Sequence, residues 1–163
     1  MQVLNDREIR QKIRRLAIQI LEQNHHESEI YLAGINNNGF HFAQLLYEDL
    51  LYIGKVPINL INIRLNPANP LSQEVQLDIP LEKLSGSNIV IADDVANTGR
   101  TLFYAMKPLM EILPKKIEVA VLVDRKHKAF PIHVNYVGLA LATTLKDHIQ
   151  VDLKENVYSA YLM

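Results

Sequence analysis

Two kinds of apolar segment alternate along this chain. In the first kind, apolar residues recur every three or four positions, which is the spacing of one helix face. This spacing predicts a helix that Asn5 caps and that reaches Leu21, a second over residues 40–53 and a third over residues 101–113. Pro108 lies inside the third pattern and is expected to kink or shorten that helix.

The second kind is a short continuous apolar run, which is typical of a strand buried on both faces. Such runs predict strands over residues 29–35, 56–63, 88–92 and 117–123. Weaker patterns indicate further strands over residues 75–79, 136–141, 149–153 and 157–162, and the prolines of residues 65–72 indicate a loop.

Strands that alternate with helices predict an α/β fold with a central, mainly parallel sheet and helices on both faces. We expect residues 1–163 to form one domain, since this length supports a single core. In sheets of this kind, ligands bind at the carboxyl ends of the strands. Candidate ligand-binding residues are therefore expected directly after each apolar run.

Composition excludes several classes of protein. There are no cysteines, which excludes disulfide scaffolds and thiolate sites. A net charge of −1 disfavours indiscriminate nucleic-acid binding. No apolar run approaches the ~20 residues that span a bilayer, and no signal-peptide pattern opens the chain, so we expect a cytoplasmic protein without membrane contact.

The segment with the clearest chemistry follows the predicted strand over residues 88–92. Asp93 and Asp94 come directly after it, and a loop with Thr98, Gly99 and Thr101 then enters a helix. Hydroxyls, a glycine backbone and unpaired helix-start N–H groups suit a phosphate. Paired carboxylates suit sugar hydroxyls or a metal ion, so the pattern predicts a site for a ribose 5-phosphate. The alternative is a solvated strand end followed by an ordinary helix cap.

This stretch closely resembles the ribose-phosphate signature of type I phosphoribosyltransferases. The resemblance implies a small hood beside the sheet, phosphoribosyl pyrophosphate and a nucleobase as substrates, and Mg²⁺ as cofactor. It implies that Asp93 and Asp94 act on the ribose and hold the metal. It also implies a set of residues around the 5-phosphate: Ala96, Asn97, Thr98, Gly99, Arg100 and Thr101.

Three further segments are similar to the pyrimidine-attenuation subgroup of that family: residues 14–17, 121–132 and 135–138. Members of this subgroup are uracil phosphoribosyltransferases, RNA-binding regulators of pyrimidine operons, or both. The resemblance adds Asp124 and Arg125 as candidate substrate-binding residues, and a homo-oligomer as the expected assembly.

The chain also departs from the family pattern. The expected pyrophosphate loop contains Asn37, Asn38 and Gly39, and Asn38 stands where relatives carry a cation. Asparagine can donate a hydrogen bond there but supplies no charge, which predicts weaker handling of pyrophosphate. Arg64, a candidate catalytic residue at the start of the expected lid over residues 64–75, is kept, but the acids that follow it in relatives are not. The alternative for Arg64 is a solvated surface arginine.

Two more departures concern the nucleobase. Asn97 occupies a position where purine-specific members often carry an acid, and an amide cannot act as a general base. We expect the hood to begin at Gly138, where the polar residues of relatives are replaced by Leu139, Ala140 and Leu141. These departures leave the choice of base open. The leading interpretation is an enzyme acting on a nucleobase, and the resemblance to the pyrimidine-attenuation subgroup favours a pyrimidine such as uracil.

The alternative is a nucleotide-sensing regulator on the same fold that binds RNA and does not catalyse. Asn38 and the lost acids favour this alternative, whereas the acid pair and the loop over residues 98–101 favour the enzyme. Two basic clusters keep RNA binding open: Arg7, Arg10 and Arg14 on one flank of the first helix, and the run over residues 125–128.

Overall fold

A six-stranded sheet forms the centre of the molecule. The computed structural model describes residues 1–163. The strands of the chain are β1 (Gln2–Leu4), β2 (Ile30–Ile35), β3 (Ile58–Arg64), β4 (Gln76–Leu77), β5 (Asn88–Ala96), β6 (Lys116–Arg125), β7 (Tyr136–Leu141), β8 (Ile149–Asp152) and β9 (Ser159–Leu162). The central sheet has the order β4-β3-β2-β5-β6-β7, and only β4 runs antiparallel to its neighbour. The predicted α/β fold with a mainly parallel sheet is confirmed.

Two long helices cover one face of this sheet. They are α1 (Asp6–Asn24) and α2 (Asn36–Ile53). The Asn5 side chain accepts a hydrogen bond from the Glu8 N–H at 3.0 Å, and the Glu8 carboxylate accepts one from the Asn5 N–H at 2.9 Å. This reciprocal cap explains why α1 begins where the sequence predicts. Both helices bury their apolar faces in one continuous core with β2, β5 and β6.

A second core fills the opposite face, where the helical structure is short. The α3 helix (Arg100–Ala105) ends well before residue 113, and a 3₁₀ helix (Lys107–Glu111) follows it. The expectation that Pro108 shortens this helix is met, because proline supplies no backbone N–H to an α-helical turn. A second 3₁₀ helix (Leu81–Leu84) packs nearby. Helices on both faces therefore agree with the prediction.

The remaining three strands form a separate antiparallel sheet with the order β1-β9-β8, which we call the hood. The hood joins the two ends of the chain, since Gln2 pairs with Tyr161. The expectation that the hood begins at Gly138 is wrong. Gly138 and the apolar residues after it lie in β7, at the edge of the central sheet, where a Cβ on Gly138 would collide with the Leu122 carbonyl oxygen on β6.

The carboxyl ends of β2 and β5 lie side by side, and the hood lies opposite them. Gly34 of β2 pairs with Ala92 of β5, so the segments that follow both residues emerge at the same edge. This is the edge where ligands bind in parallel α/β sheets. No helix in the structure combines the length and the apolar character that crossing a bilayer requires.

Candidate active site

The acid pair lies inside β5, because the strand continues to Ala96 instead of ending at residue 92. Asp93 is only 9% exposed, and its Oδ1 accepts the Asp94 backbone N–H at 2.9 Å. Burial raises the pKa of Asp93 well above its usual range, and the adjacent Asp94 charge raises it further. Burial also raises the pKa of Asp94. Two desolvated carboxylates side by side favour the approach of a cation or of hydroxyl donors.

These carboxylates open into a cleft of about 540 Å³ between the sheet edge and the hood. The cleft is wide enough for a small ligand. Its lining residues come from three places: Ile35, Asn36, Asn37, Asn38 and Pro67 at the carboxyl ends of β2 and β3; Asp93, Asp94, Val95, Asn97 and Thr101 on β5 and the start of α3; and His148, Ile149, Gln150, Val151 and Lys154 in the hood. The structure therefore brings the predicted acid pair and the predicted pyrophosphate loop together.

The three asparagines after β2 form the first turn of α2, in a backbone conformation that is held from outside. Asn36 has φ = 50°, in the left-handed region that asparagine tolerates better than most residues. Its Oδ1 accepts the Leu65 N–H at 3.0 Å, and its carbonyl oxygen accepts the Asn62 side-chain amide at 3.0 Å. The end of β3 thus positions this loop, and Asn37 and Asn38 are left exposed to the cleft.

Gly39 ties the same turn to the acid pair. A Cβ at Gly39 would lie 2.9 Å from the Ala92 carbonyl oxygen and 2.9 Å from Asp93 Oδ1. Both distances are shorter than ordinary contacts, so only glycine lets α2 begin this close to β5. The sequence prediction placed Gly39 at the ligand, and the structure places it directly behind the carboxylate.

We therefore expect Gly39→Ala to move Asp93 and to lower any activity that depends on this carboxylate by about tenfold or more, since misplacement by an ångström at a site is costly. Steady-state kinetics with the circular-dichroism melting curve would check this. Gly86→Ala is the matched control for added bulk, because a Cβ there meets nothing within 4 Å, although its φ of +72° adds local strain. Full activity in Gly39→Ala would contradict the expectation.

Arg64, at the end of β3, reaches the pyrophosphate loop directly. Its Nη2 donates to Asn37 Oδ1 at 3.2 Å, and the contact is exposed. The structure therefore joins two predicted site residues that are 27 positions apart in the chain. The guanidinium lies at the rim of the cleft and is free to change partner, since an exposed neutral hydrogen-bond partner costs little to give up.

The loop from Ala96 to Thr101 encloses a small concavity of about 40 Å³ that also touches Asp93. Gly99 has φ = 86°, a conformation that favours glycine, and Thr98 Oγ1 accepts the Arg100 N–H at 3.3 Å. The Thr98 carbonyl oxygen accepts backbone N–H groups from Ala129 and Phe130 behind the loop. The loop is therefore shaped by its own backbone and by a fixed support, as an anion site requires.

Arg100 has its backbone in this loop but its side chain elsewhere. The guanidinium donates to the carbonyl oxygens of Pro67 and Ala68 at 2.6 and 2.9 Å. It thereby attaches the segment after β3, the expected lid, to the phosphate loop. Arg100 is among the residues that line the small concavity, while its guanidinium is engaged by these two carbonyl oxygens.

Asp124 and Arg125 do not line the cleft in this structure. Arg125 is 9% exposed and donates to Asn97 Oδ1 at 3.0 Å, to Thr143 Oγ1 at 2.8 Å and to the Thr144 carbonyl oxygen at 2.9 Å. Asp124 pairs with Lys128 at 2.6 Å. Arg125 therefore contacts the loop over residues 96–101 and the segment leading into the hood directly, and Asp124 is linked to the same loop through Lys128, which donates to the Asn97 carbonyl oxygen. Their role in binding substrate stays a prediction.

Sequence reasoning missed the hood side of the cleft. His148, Gln150 and Lys154 line it, although no motif marks them. One signal was available: in β8, Ile149 and Val151 are buried whereas Gln150 and Asp152 are exposed. This alternation predicts which face of the strand packs on the core. It does not reveal that the segment lines the same cleft as Asp93 and Asp94.

Comparison with known proteins agrees with this geometry. The family model "Phosphoribosyl transferase domain" matches residues 1–156. A protein of Bacillus cereus named "Bifunctional protein PyrR" is 34% identical over 163 residues, covering 94% of this chain and 90% of that protein. A Bacillus anthracis protein of the same name matches to the same extent.

Solved structures share the fold. A hypoxanthine-guanine phosphoribosyltransferase from Bacillus anthracis, with HEPES in its active site, superposes with a TM-score of 0.76 at 19% identity, covering 99% of this chain and 96% of the other. The hypoxanthine phosphoribosyltransferase of Trypanosoma cruzi gives 0.75 at 19% identity, covering 91% and 84%. With the family match over nearly the whole chain, these likenesses lead to one conclusion: the chain belongs to the phosphoribosyltransferase family and is classed with the pentosyltransferases.

Proposed function

We propose that this protein transfers ribose 5-phosphate from phosphoribosyl pyrophosphate to a pyrimidine base, with uracil as the favoured acceptor. One observation carries the proposal. Asp93 and Asp94 lie within a single rigid strand that runs directly into the loop over residues 96–101, and the acid pair and the loop's Asn97 and Thr101 line one cleft. A ribose 5-phosphate presents hydroxyls to the carboxylates and a phosphate to the loop at the same time.

In the proposed reaction, a base nitrogen bonds to the anomeric carbon as the bond from that carbon to the pyrophosphate oxygen breaks, and the base proton passes to solvent. The protein's contribution is to position the reactants and to exclude water. Asp93 and Asp94 hold the ribose hydroxyls, and Thr98 and Thr101 hold the phosphate. Arg64 and the lid after β3 cover the leaving group.

The donor set fits Mg²⁺. Mg²⁺ binds one or two carboxylates and takes its other ligands from substrate phosphates and water. The acid pair supplies two carboxylates, and no cluster of three or more metal-ligating side chains occurs in the chain to form a complete protein cage. Burial raises the pKa of both carboxyls, which is consistent with a pair of charges that a bound cation would stabilise. Asp93 and Asp94 would hold the ion, whose role when bound is to neutralise charge on the pyrophosphate.

The preference for a pyrimidine is supported by likeness and by one residue. The relatives at 34% identity are named PyrR, and segments of the chain resemble the pyrimidine-attenuation subgroup. Asn97 supplies no acid where purine-specific members often carry one, and Arg125 holds its side-chain oxygen at 3.0 Å. The hypoxanthine enzymes are below 25% identity and support the fold alone.

Steady-state assays with uracil, hypoxanthine, guanine and orotate test the proposal. We expect pyrophosphate release only with uracil, in the presence of phosphoribosyl pyrophosphate and Mg²⁺. Asp94→Asn is the matched control, because it removes one charge at nearly constant volume and should reduce the rate by orders of magnitude. Turnover with a purine in place of uracil would overturn the choice of base.

A regulator that binds nucleotide and RNA without turnover is the second candidate, and Asn38 is the observation that favours it. One observation counts against this candidate: two arginines of the first basic cluster are already paired with carboxylates, Arg10 with Asp6 and Arg14 with Asp49. Titration with uridine monophosphate and with phosphoribosyl pyrophosphate separates the candidates. Nucleotide binding without turnover on any base would replace the enzyme with the regulator.

A further inference from the structure

We propose that Lys154 of the hood supplies the positive charge for pyrophosphate that the loop after β2 lacks. The inference rests on the proposed function, because it names the residue that meets the leaving group. The loop offers the cleft three neutral asparagines, Asn36, Asn37 and Asn38, and the only Lys or Arg side chain among the 15 residues that line the cleft is Lys154. A pyrophosphate placed against this loop lies in a cleft with one ammonium and two carboxylates.

Three other cations near the site are already engaged by charge-assisted hydrogen bonds. Arg100 donates to two carbonyl oxygens of the lid, and Arg125 donates to Asn97 and to two positions before the hood. Lys128 pairs with Asp124 at 2.6 Å and also donates to the Asn97 carbonyl oxygen at 3.0 Å. Moving any of them toward the cleft would break charge-assisted hydrogen bonds, which are stronger than hydrogen bonds between neutral groups.

Lys154, in contrast, has an exposed side chain with no hydrogen bond and no ion pair in the chain. Its ammonium therefore gives up no protein partner when it binds an anion. A lysine is a compact charge on a flexible stem, which suits a phosphate group whose position varies during a reaction. Arg64 contacts Asn37 of the same loop through one exposed hydrogen bond, and Lys154 lines the same cleft as that loop.

The backbone that carries Lys154 is anchored on both sides. The Lys154 N–H donates to Asp152 Oδ1 at 3.0 Å. Beyond it, Arg10 of α1 donates to the Asn156 carbonyl oxygen at 3.0 Å, and Asp6 Oδ1 accepts the Tyr158 N–H at 2.9 Å. The Arg10 guanidinium also lies 4.3 Å from the centre of the Tyr158 ring. The start of α1 thus fixes the segment from which the ammonium reaches the cleft.

The test measures Lys154→Met against the unaltered protein by isothermal titration with three probes: inorganic pyrophosphate, phosphoribosyl pyrophosphate and uridine monophosphate, each with Mg²⁺. We expect the Kd of the first two to rise about tenfold or more, because one charge-assisted contact is lost. The Kd of the monophosphate should stay within about twofold, since its phosphate binds the loop after β5. Lys154→Arg should restore most of the lost affinity, and KM for phosphoribosyl pyrophosphate should rise more than kcat falls.

Lys146→Met is the matched control, because Lys146 is exposed, lies close in sequence and does not line the cleft. Unchanged pyrophosphate affinity in Lys154→Met overturns the inference, and so does an equal loss for all three probes. If pyrophosphate affinity depends on Lys154 but uracil is not used, the inference stands and the proposed function fails. If the unaltered protein binds neither pyrophosphate probe, both fail.

Discussion

Asp93→Asn is expected to lower phosphoribosyl transfer by roughly 10³-fold while making the protein more stable near neutral pH. In the proposed function the Asp93 carboxylate holds ribose hydroxyls, so we expect its charge to be needed for turnover. The same charge is desolvated in the folded protein, where burial and the adjacent Asp94 raise the pKa of Asp93. Replacing it with a neutral amide removes that cost, so we expect Asp93→Asn to be measurably more stable than the unaltered protein.

The pH dependence of this gain follows from the direction of the shift. A raised pKa means that the folded state binds the proton more tightly than the unfolded state, whose carboxyl titrates near 3.8. The destabilisation is therefore absent below that pH and grows as pH rises toward the folded-state pKa. Urea unfolding of both proteins at pH 4 and at pH 7.5 should show the gain of Asp93→Asn only at the higher pH.

Glu111→Gln is the control for this experiment, because Glu111 is exposed and should change stability little at either pH. Equal stability of Asp93→Asn and the unaltered protein at pH 7.5 would contradict the account of a desolvated charge. Retained turnover would contradict the assignment of Asp93 to the substrate.

Arg125→Met is expected to cost about 2–3 kcal/mol of stability and to raise KM for phosphoribosyl pyrophosphate. The buried guanidinium bonds Asn97 in the phosphate loop and Thr143 and Thr144 before the hood, so its loss leaves acceptors unpaired on both sides. Methionine fills much of the same volume, which limits the cavity contribution.

Denaturant unfolding and steady-state kinetics would measure both effects in the same protein. Arg125→Lys is the informative companion, since it keeps the charge but cannot supply the fork of donors that contacts three groups. We expect it to rescue little. If Arg125→Lys behaves like the unaltered protein, the charge alone matters and the bridging geometry does not.

The sequence predicts the central strands well because an apolar run that is buried on both faces leaves a direct signal. It predicts α1 for a similar reason, with Asn5 and Glu8 marking its start. The predicted bounds of a helix or strand are wrong where polar residues continue it. Asn36 begins α2 without any apolar periodicity, and β5 runs through the acid pair because β6 stays paired with it as far as Ala96.

The site is predicted in part for the same physical reason. The acid pair and the phosphate loop over residues 96–101 lie close together in the sequence, so their spacing can be seen without the structure. Lys154 and His148 line the same cleft because the hood packs against the sheet edge. Arg125 supports the loop over residues 96–101 through its hydrogen bond to Asn97, 28 positions away in the chain. Such contacts depend on how the hood packs, and no local pattern encodes them.

The pairing of β1 with β9 has a consequence for the order in which the molecule assembles. The Met1 amino group donates to the Leu162 carbonyl oxygen at 2.7 Å, which makes this the contact of greatest sequence separation in the fold. Contacts that close such long loops carry a large entropic cost and are expected to form late in folding. The central sheet with its acid pair should therefore fold before the cleft acquires its second wall.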